Sequence, residues 1–300
     1  MPRAASYRAV GIALAVAGVI AFSFRPIFIK LAYGFVRDPV TLIALRMVFA
    51  LPFFIAAALW QRGDPSRAPI SRRDWWGILL LGFLGYYFAS FVDFLGLQYI
   101  GAGLGRLILF LYPTVVVVLS WAFLRKRAGA REILALTVTY AGTALVFWHA
   151  LRGQHENFPL GAALVFASAV SYAVYLVLGG QIIQRVGPMR FTAYALLIAS
   201  ALCIAQFLAL RPLAALALPW QVYACAIAMA LLSTVLPTFM TAEALKRVGA
   251  NQVAILGALG PVSTIFFGFV GLDERMTTLQ LAGTALVLGG VVLVSLKPKA

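Results

Sequence analysis

The chain has 300 residues, of which 63% are hydrophobic and 11% charged, with a mean hydropathy of +0.97. A soluble domain is roughly 45–50% apolar and about 25% charged, so a water-soluble globule is excluded and lipid is the expected solvent. The net charge of +15 lies in short connections between apolar runs, which fits a multi-pass membrane protein and argues against a nucleic-acid-binding face.

Runs of the length that crosses a bilayer, about twenty apolar residues, occur near 8–33, 39–60, 74–97, 102–123, 130–148, 158–183, 190–210, 219–242, 250–271 and 277–296. Ten transmembrane helices are therefore expected. The first starts too early and runs too long for a cleaved signal peptide, so it is expected to stay as a helix. With the N-terminus in the cytoplasm, sixteen of the 24 Lys and Arg residues fall on the cytoplasmic side and four outside. That bias places both termini inside a plasma membrane, the inner membrane of a bacterium.

Taken in chain order, the first two spans carry Arg25, Lys30 and Arg46. The third holds Tyr86, Tyr87 and Ser90 near its middle and Asp93 beyond them. The stretch "YIGAGLGRLILFLYP" comes next at 99–113, and its glycines suggest a phosphate-cradling loop. The spacing is G-x-G-x-G rather than G-x-G-x-x-G, and no acid stands twenty residues on, so that reading fails. Arg106 then lies inside a span, about as deep as Asp93 on the adjacent helix, and Asp93–Arg106 is the expected ion pair. Arg25 and Arg46 share this outer layer, where they could draw in a carboxylate or close a gate. Lys30, nearer the surface, is expected to snorkel.

The loop "WHALRGQHENF" offers His149 and His155, a weak metal motif, and Cys203 and Cys225 stand in separate helices as packing residues. No cofactor, metal or disulfide is expected. No G-x-x-x-x-G-K-[ST] occurs, so transport could not run on an ATPase within this chain. In the sixth span, Ser168, Ser171, Tyr172 and Tyr175 recur at i, i+3, i+4 and i+7, one helical face. The eighth repeats a polar stripe with Thr234, Thr238 and Thr241, interrupted by Pro237. Glu243 precedes Lys246 and Arg247 at helical spacing, an edge ion pair. Proton coupling, if present, would use Asp93 or Glu243. Tyr112 before Pro113, and Ser263 and Thr264 after Pro261, complete a polar level on five helices. A polar stripe on a membrane helix avoids lipid, so the expectation is a midplane cavity rich in hydroxyls and rings, without a charge at its centre. Such a pocket suits a small zwitterion, its ammonium and carboxylate held by Tyr and Ser hydroxyls. Pro113, Pro237 and Pro261 are candidate hinges, since each frees a carbonyl.

Residues 99–127 match 247–275 without a gap: Gly101 with Gly249, Pro113 with Pro261, Arg127 with Arg275, each 148 apart. The register continues through Gly142 and Gly290 and, loosely, back to Gly11 and Gly161. Residues 1–150 and 151–300 thus read as two five-helix repeats. An odd helix number turns the second upside down, the inverted architecture of secondary transporters with a midplane site.

These residues carry a resemblance. "GANQVAILGALGPVSTIFFGFVGLDERMTTLQLAGTALVLGGVVLV", with its small-residue entry, central Pro261, "DER" turn and glycine-rich last helix, resembles the EamA-type transporters of the drug/metabolite transporter superfamily. The first half departs from that pattern, with "LRKRAGAR" where an acidic turn is common. The resemblance implies ten helices around a cavity, with the fifth and tenth peripheral. "ILFLYP" and the tyrosine-rich third span resemble the YddG-type aromatic amino acid exporters. On that basis the expected function is export of aromatic or other neutral amino acids by alternating access, with the lipid bilayer, but no nucleic acid, as a further partner. An exchanger of phosphorylated metabolites or nucleotide sugars is the alternative, and a membrane scaffold or enzyme a more distant one. The glycines of the last helix allow a homodimer as well as a monomer.

Overall fold

The computed structural model describes residues 2–62, 69–100, 105, 108–125, 129–146, 158–272 and 278–295. The first half begins with α1 (Pro2–Phe22), α2 (Arg25–Tyr33), α3 (Pro39–Arg62) and α4 (Arg72–Gly82). A π-helical turn (Phe83–Phe88) joins α4 to α5 (Ala89–Gly96), and α6 (Tyr112–Leu124) and α7 (Ala130–Val146) come after it. In the second half stand α8 (Phe158–Val186), α9 (Pro188–Leu210) and α10 (Trp220–Ala230). A second π turn (Leu231–Val235) leads into α11 (Leu236–Val248), and α12 (Ala250–Leu256), α13 (Leu259–Leu272) and α14 (Thr278–Ser295) close the chain.

The expected ten spans in two inverted five-helix repeats are corrected by this structure. Among the described residues, six helical stretches are long and apolar enough to cross a membrane: Ser6–Tyr33, Pro39–Gln61, Arg72–Gly96, Phe158–Val186, Pro188–Leu210 and Trp220–Val248. Within the other four apolar runs, the described helices are α6 with 13 residues, α7 with 17, the broken pair α12 and α13 with 7 and 14, and α14 with 18. At 1.5 Å per residue even the longest of these rises about 27 Å, short of a ~30 Å hydrocarbon core. A hydropathy count sums apolar residues across a break and does not register the break itself. Among the described residues the fold is an all-α helical bundle with six long spans.

Where the bundle is exposed it is apolar: Phe53, Leu59, Leu208, Leu232 and Phe266 all point outward. In water these faces would aggregate, and in a bilayer they meet acyl chains. Trp60, Trp75 and Trp76, exposed at adjoining ends of α3 and α4, and Trp220 at the start of α10, stand where aromatic residues anchor at the interface. The core runs along α8, which packs against α4, α5, α6 and α11. Close approaches replace large side chains at several crossings. A Cβ on Gly82 would lie 2.6 Å from the Ala195 carbonyl oxygen, so α4 and α9 touch backbone to backbone. Gly142 on α7 likewise meets the Gly283 carbonyl of α14, and Gly290 of α14 meets the Ala135 carbonyl. Gly283 and Gly290 of the last helix are thus packed on α7, while nothing stands within 4 Å of a Cβ placed on Gly289.

Candidate functional site

The π turns shape the centre of the bundle. They begin at Phe83 and Leu231, 148 positions apart, within two of the long spans. A π turn widens the helix by one residue and rotates the helical segment beyond it, a device common at functional sites. Pro237 stands in the first turn of α11, where its missing N–H cannot close the helix onto the carbonyl four residues back. The second π turn occupies that stretch. Gly85 and Tyr86 from the first turn, and Ser233 and Thr234 from the second, line one cavity of about 150 Å³. The register of 148 pairs Gly85 with Ser233, Tyr86 with Thr234, and Ser90 with Thr238, and all six line the cavity.

Of the residues expected from the sequence, Tyr86, Ser90, Tyr112, Ser168, Tyr172, Thr234 and Thr238 reach this cavity, and so do Arg25 and Arg46. Tyr87, Ser171, Tyr175, Thr241 and Ser263 do not line it. Tyr175 is fully buried behind Tyr86, with the two hydroxyls 2.7 Å apart. Ser171 donates to the Leu84 carbonyl at 2.8 Å and so braces the first π turn. Tyr87 lies beside Phe83, with ring centroids 5.5 Å apart. On α13, Thr264 lines the cavity in place of Ser263, one residue and about 100° away around the helix. The sequence reading missed Met47, Ser23, Ser233, Gly257 and Gly260 on the wall. The 148-residue register carried a signal for Gly260, the partner of Tyr112, and for Ser233, the partner of Gly85.

Phe22, Tyr86, Phe110, Tyr112 and Tyr172 supply rings to the cavity wall, with Tyr175 packed behind. Tyr112 meets Tyr172 edge-on at 5.3 Å, Tyr172 stacks on Tyr175 at 5.8 Å, and Tyr86 meets Tyr175 edge-on at 4.9 Å. Tyr112 crosses from one half to the other, its hydroxyl donating to the Ala254 carbonyl at 3.1 Å. Gly257 makes room for that hydroxyl, since a Cβ there would fall 1.5 Å from it.

Four of the cavity's hydroxyls have committed their hydrogens to backbone carbonyls. Ser168 donates to the Ala89 carbonyl at 2.8 Å, while Ser233 and Thr234 each donate to the Met229 carbonyl at 2.9 Å. Thr238 donates to the Thr234 carbonyl at 2.7 Å. A hydroxyl has one hydrogen and two acceptor lone pairs, so these oxygens turn only acceptor capacity toward the cavity. They suit a donor such as an ammonium group and cannot also hydrogen-bond a carboxylate.

The cavity also bears charge, against the expectation of an uncharged centre. Arg25 donates through Nη2 to Asp93 Oδ2 at 3.0 Å, and Asp93 is 1% exposed. Arg106, the expected partner of Asp93, lies outside the described residues, as do His149 and His155. Arg46 is also 1% exposed, and its Nε and Nη2 have no hydrogen-bond partner among the described residues. Phe94 lies between the two guanidinium groups, 5.7 Å from that of Arg25 and 5.4 Å from that of Arg46.

Each candidate hinge proline opens a helix just after an interruption. Pro113 is in the first turn of α6, Pro237 succeeds the second π turn, and Pro261 lies in the first turn of α13 after the break at Gly257. A proline at a helix start loses no intrahelical bond, so the pliable elements are the interruptions. Glu243 pairs with Arg247 at 2.7 Å within α11, as the helical spacing implied, and Arg247 lies over the Tyr7 ring at 4.6 Å. Two links went unforeseen: Asp74–Arg185 at 2.6 Å between α4 and α8, and Asp38–Arg211 at 2.8 Å between the start of α3 and the end of α9. Cys203 is buried and Cys225 half-buried, both as free thiols, and no group of three metal-binding side chains occurs among the described residues.

A model of the EamA-like transporter family matches the chain twice, over residues 9–148 and 159–296. An uncharacterized transporter of Bacillus subtilis, YcbK, is 28% identical over 89% of this chain and 86% of its own length. An uncharacterized transporter of Synechocystis, sll1319, is 24% identical over 95% and 93%. A solved crystal structure superposes with a TM-score of 0.77 over 95% of this chain and 96% of its own, at 19% identity, so what it shares is the fold.

Proposed function

We propose, since the chain belongs to the EamA-like transporter family, that its cavity carries amino acids with aromatic or other neutral side chains. At the level of the family it is a secondary, small-molecule transporter of the membrane. The amino acid assignment rests above all on one observation: acceptor oxygens of Ser168, Ser233, Thr234 and Thr238 share a cavity with Tyr86, Tyr112 and Tyr172. The oxygens receive an ammonium group, and the rings pack on the side chain or on the cation itself. Residues 1–150 and 151–300 act as two halves closing on the substrate, flexing at the π turns and at the breaks before Pro113 and Pro261. The positive charge at one set of loops supports cytoplasmic termini in a bacterial inner membrane, and export is inferred from the likeness to amino acid exporters.

A second reading, carriage of phosphorylated metabolites, is favoured by the two arginines on the cavity wall. A phosphate dianion usually needs converging cations, and of these two Arg25 is already held by Asp93. Flux into proteoliposomes, with labelled phenylalanine, threonine, methionine and a triose phosphate in parallel, decides between them. Amino acid flux that falls in Tyr172→Ala supports the proposal. Triose phosphate flux without amino acid flux overturns it.

A further inference from the structure

An arginine buried this deeply without a hydrogen-bonded partner asks for an explanation. Taking a guanidinium out of water costs several kcal/mol unless an anion or a set of acceptors replaces the water. Arg46 reaches the cavity from α3, yet its Nε and Nη2 have no acceptor among the described residues. Its charged surroundings are Arg25, which repels it, and Asp93, whose Oδ2 is taken by Arg25 at 3.0 Å. The ring of Phe94 gives a cation–π contact but accepts no N–H in the plane of the guanidinium. Arg46 thus stands on the cavity wall with two buried nitrogens that have no partner among the described residues.

We infer that Arg46 is the anion-binding group of the cavity and takes the carboxylate of the substrate through Nε and Nη2, which have no partner among the described residues. This rests on the amino acid reading and adds polarity to it: carboxylate at Arg46, ammonium toward Ser233, Thr234 and Thr238. A guanidinium edge presenting two N–H groups matches the two oxygens of one carboxylate. The site therefore selects for a free carboxylate, and an amine lacking one forfeits this contact.

The test is binding to the purified full-length chain of four probes: phenylalanine, 3-phenylpropionate, phenethylamine and inorganic phosphate. In the wild type, phenylalanine and 3-phenylpropionate bind. Arg46→Met weakens both by roughly ten- to a hundredfold and leaves phenethylamine unchanged, because only the carboxylate loses its charge-assisted bonds. Arg46→Lys recovers part of the loss, which keeps the test open should the methionine variant fold poorly. Equal weakening of all three organic probes assigns Arg46 a structural role and overturns the inference, as does phenylalanine binding unchanged in Arg46→Met. Phosphate binding that depends on Arg46, without phenylalanine binding, leaves the anion site standing and removes the amino acid reading.

Discussion

Tyr86 and Tyr175 share a hydrogen bond of 2.7 Å that joins the first π turn to α8, and neither ring could take its place if Gly85 carried a side chain. A Cβ on Gly85 would lie 2.5 Å from the ring of Tyr175. Gly85→Ala should therefore displace Tyr175 and, through their shared hydrogen bond, disturb Tyr86 on the cavity wall. Overpacking of this kind costs about 1–3 kcal/mol. The expected result is a lower Tm in detergent together with loss of substrate flux.

The same hydrogen bond gives a sharper pair of variants. Tyr86→Phe leaves the Tyr175 hydroxyl buried with its partner gone, at a cost of about 1–3 kcal/mol. Tyr86→Phe with Tyr175→Phe removes both polar groups and should be less destabilising than the sum of the singles. A double-mutant cycle on thermal unfolding reads the coupling directly. Additive effects would mean that the two hydroxyls do not interact.

Asp38 and Arg211 clasp the start of α3 to the end of α9, with Arg211 Nε and Nη2 on the two carboxylate oxygens at 2.8 and 3.1 Å. Partial burial pushes the Asp38 carboxyl up. The hydrogen bonds from Arg211, Thr41 and the Val40 N–H, with the Arg211 charge, outweigh that and hold it below its ordinary value. Its contribution to stability is thus complete above the unfolded-state value of about 3.9 and is lost as the pH falls below that, through the folded-state value. Wild type should be more stable than Asp38→Asn near neutral pH, with the gap closing below about pH 4. Added salt should narrow it as well, since the pair is largely exposed. Melting curves of both proteins across pH and salt check this.

Arg25 and Asp93 stand at the cavity edge with Asp93 fully buried. Asp93→Asn leaves the Arg25 guanidinium without its counter-ion, which for a buried pair costs about 3–5 kcal/mol. The yield of folded protein by size-exclusion chromatography should fall sharply. If it does not, the pair is dispensable for folding and transport becomes the informative assay.

The π turns can be removed one residue at a time. Phe83 and Leu232 point outward, so deleting either takes a residue from a π turn without taking a cavity side chain. Each deletion should return its span to α-helical register and turn Tyr86 or Thr234 away from the cavity. The expected outcome is an assembled protein with little flux. Wild-type flux in both deletions would show that the π turns are incidental.

Much of this was legible before any coordinates. Apolar runs and loop charges established a membrane protein, and the stripe at Ser168, Ser171, Tyr172 and Tyr175 marked the helix that carries the cavity. The stripe did not distinguish Ser168 and Tyr172, which face the cavity, from Ser171 and Tyr175, which face the first π turn. Period alone places all four on one face of a helix and says nothing of what packs against each. The ten-span count failed for a related reason, because composition does not reveal where a helix stops.

The sequence by itself determined the solvent, the all-α class, the 148-residue register and the residue types that a zwitterion site needs. These come from local chemistry: lipid demands apolar runs with internally bonded backbone, and buried polar groups must find partners. Only the tertiary structure decided which hydroxyls had given up their hydrogens, which arginine was tied to Asp93, and which stood on the cavity wall with two nitrogens lacking a partner among the described residues. Those outcomes depend on contacts between residues far apart in the chain, such as Arg25 with Asp93 and Tyr112 with Ala254, and no local pattern encodes them.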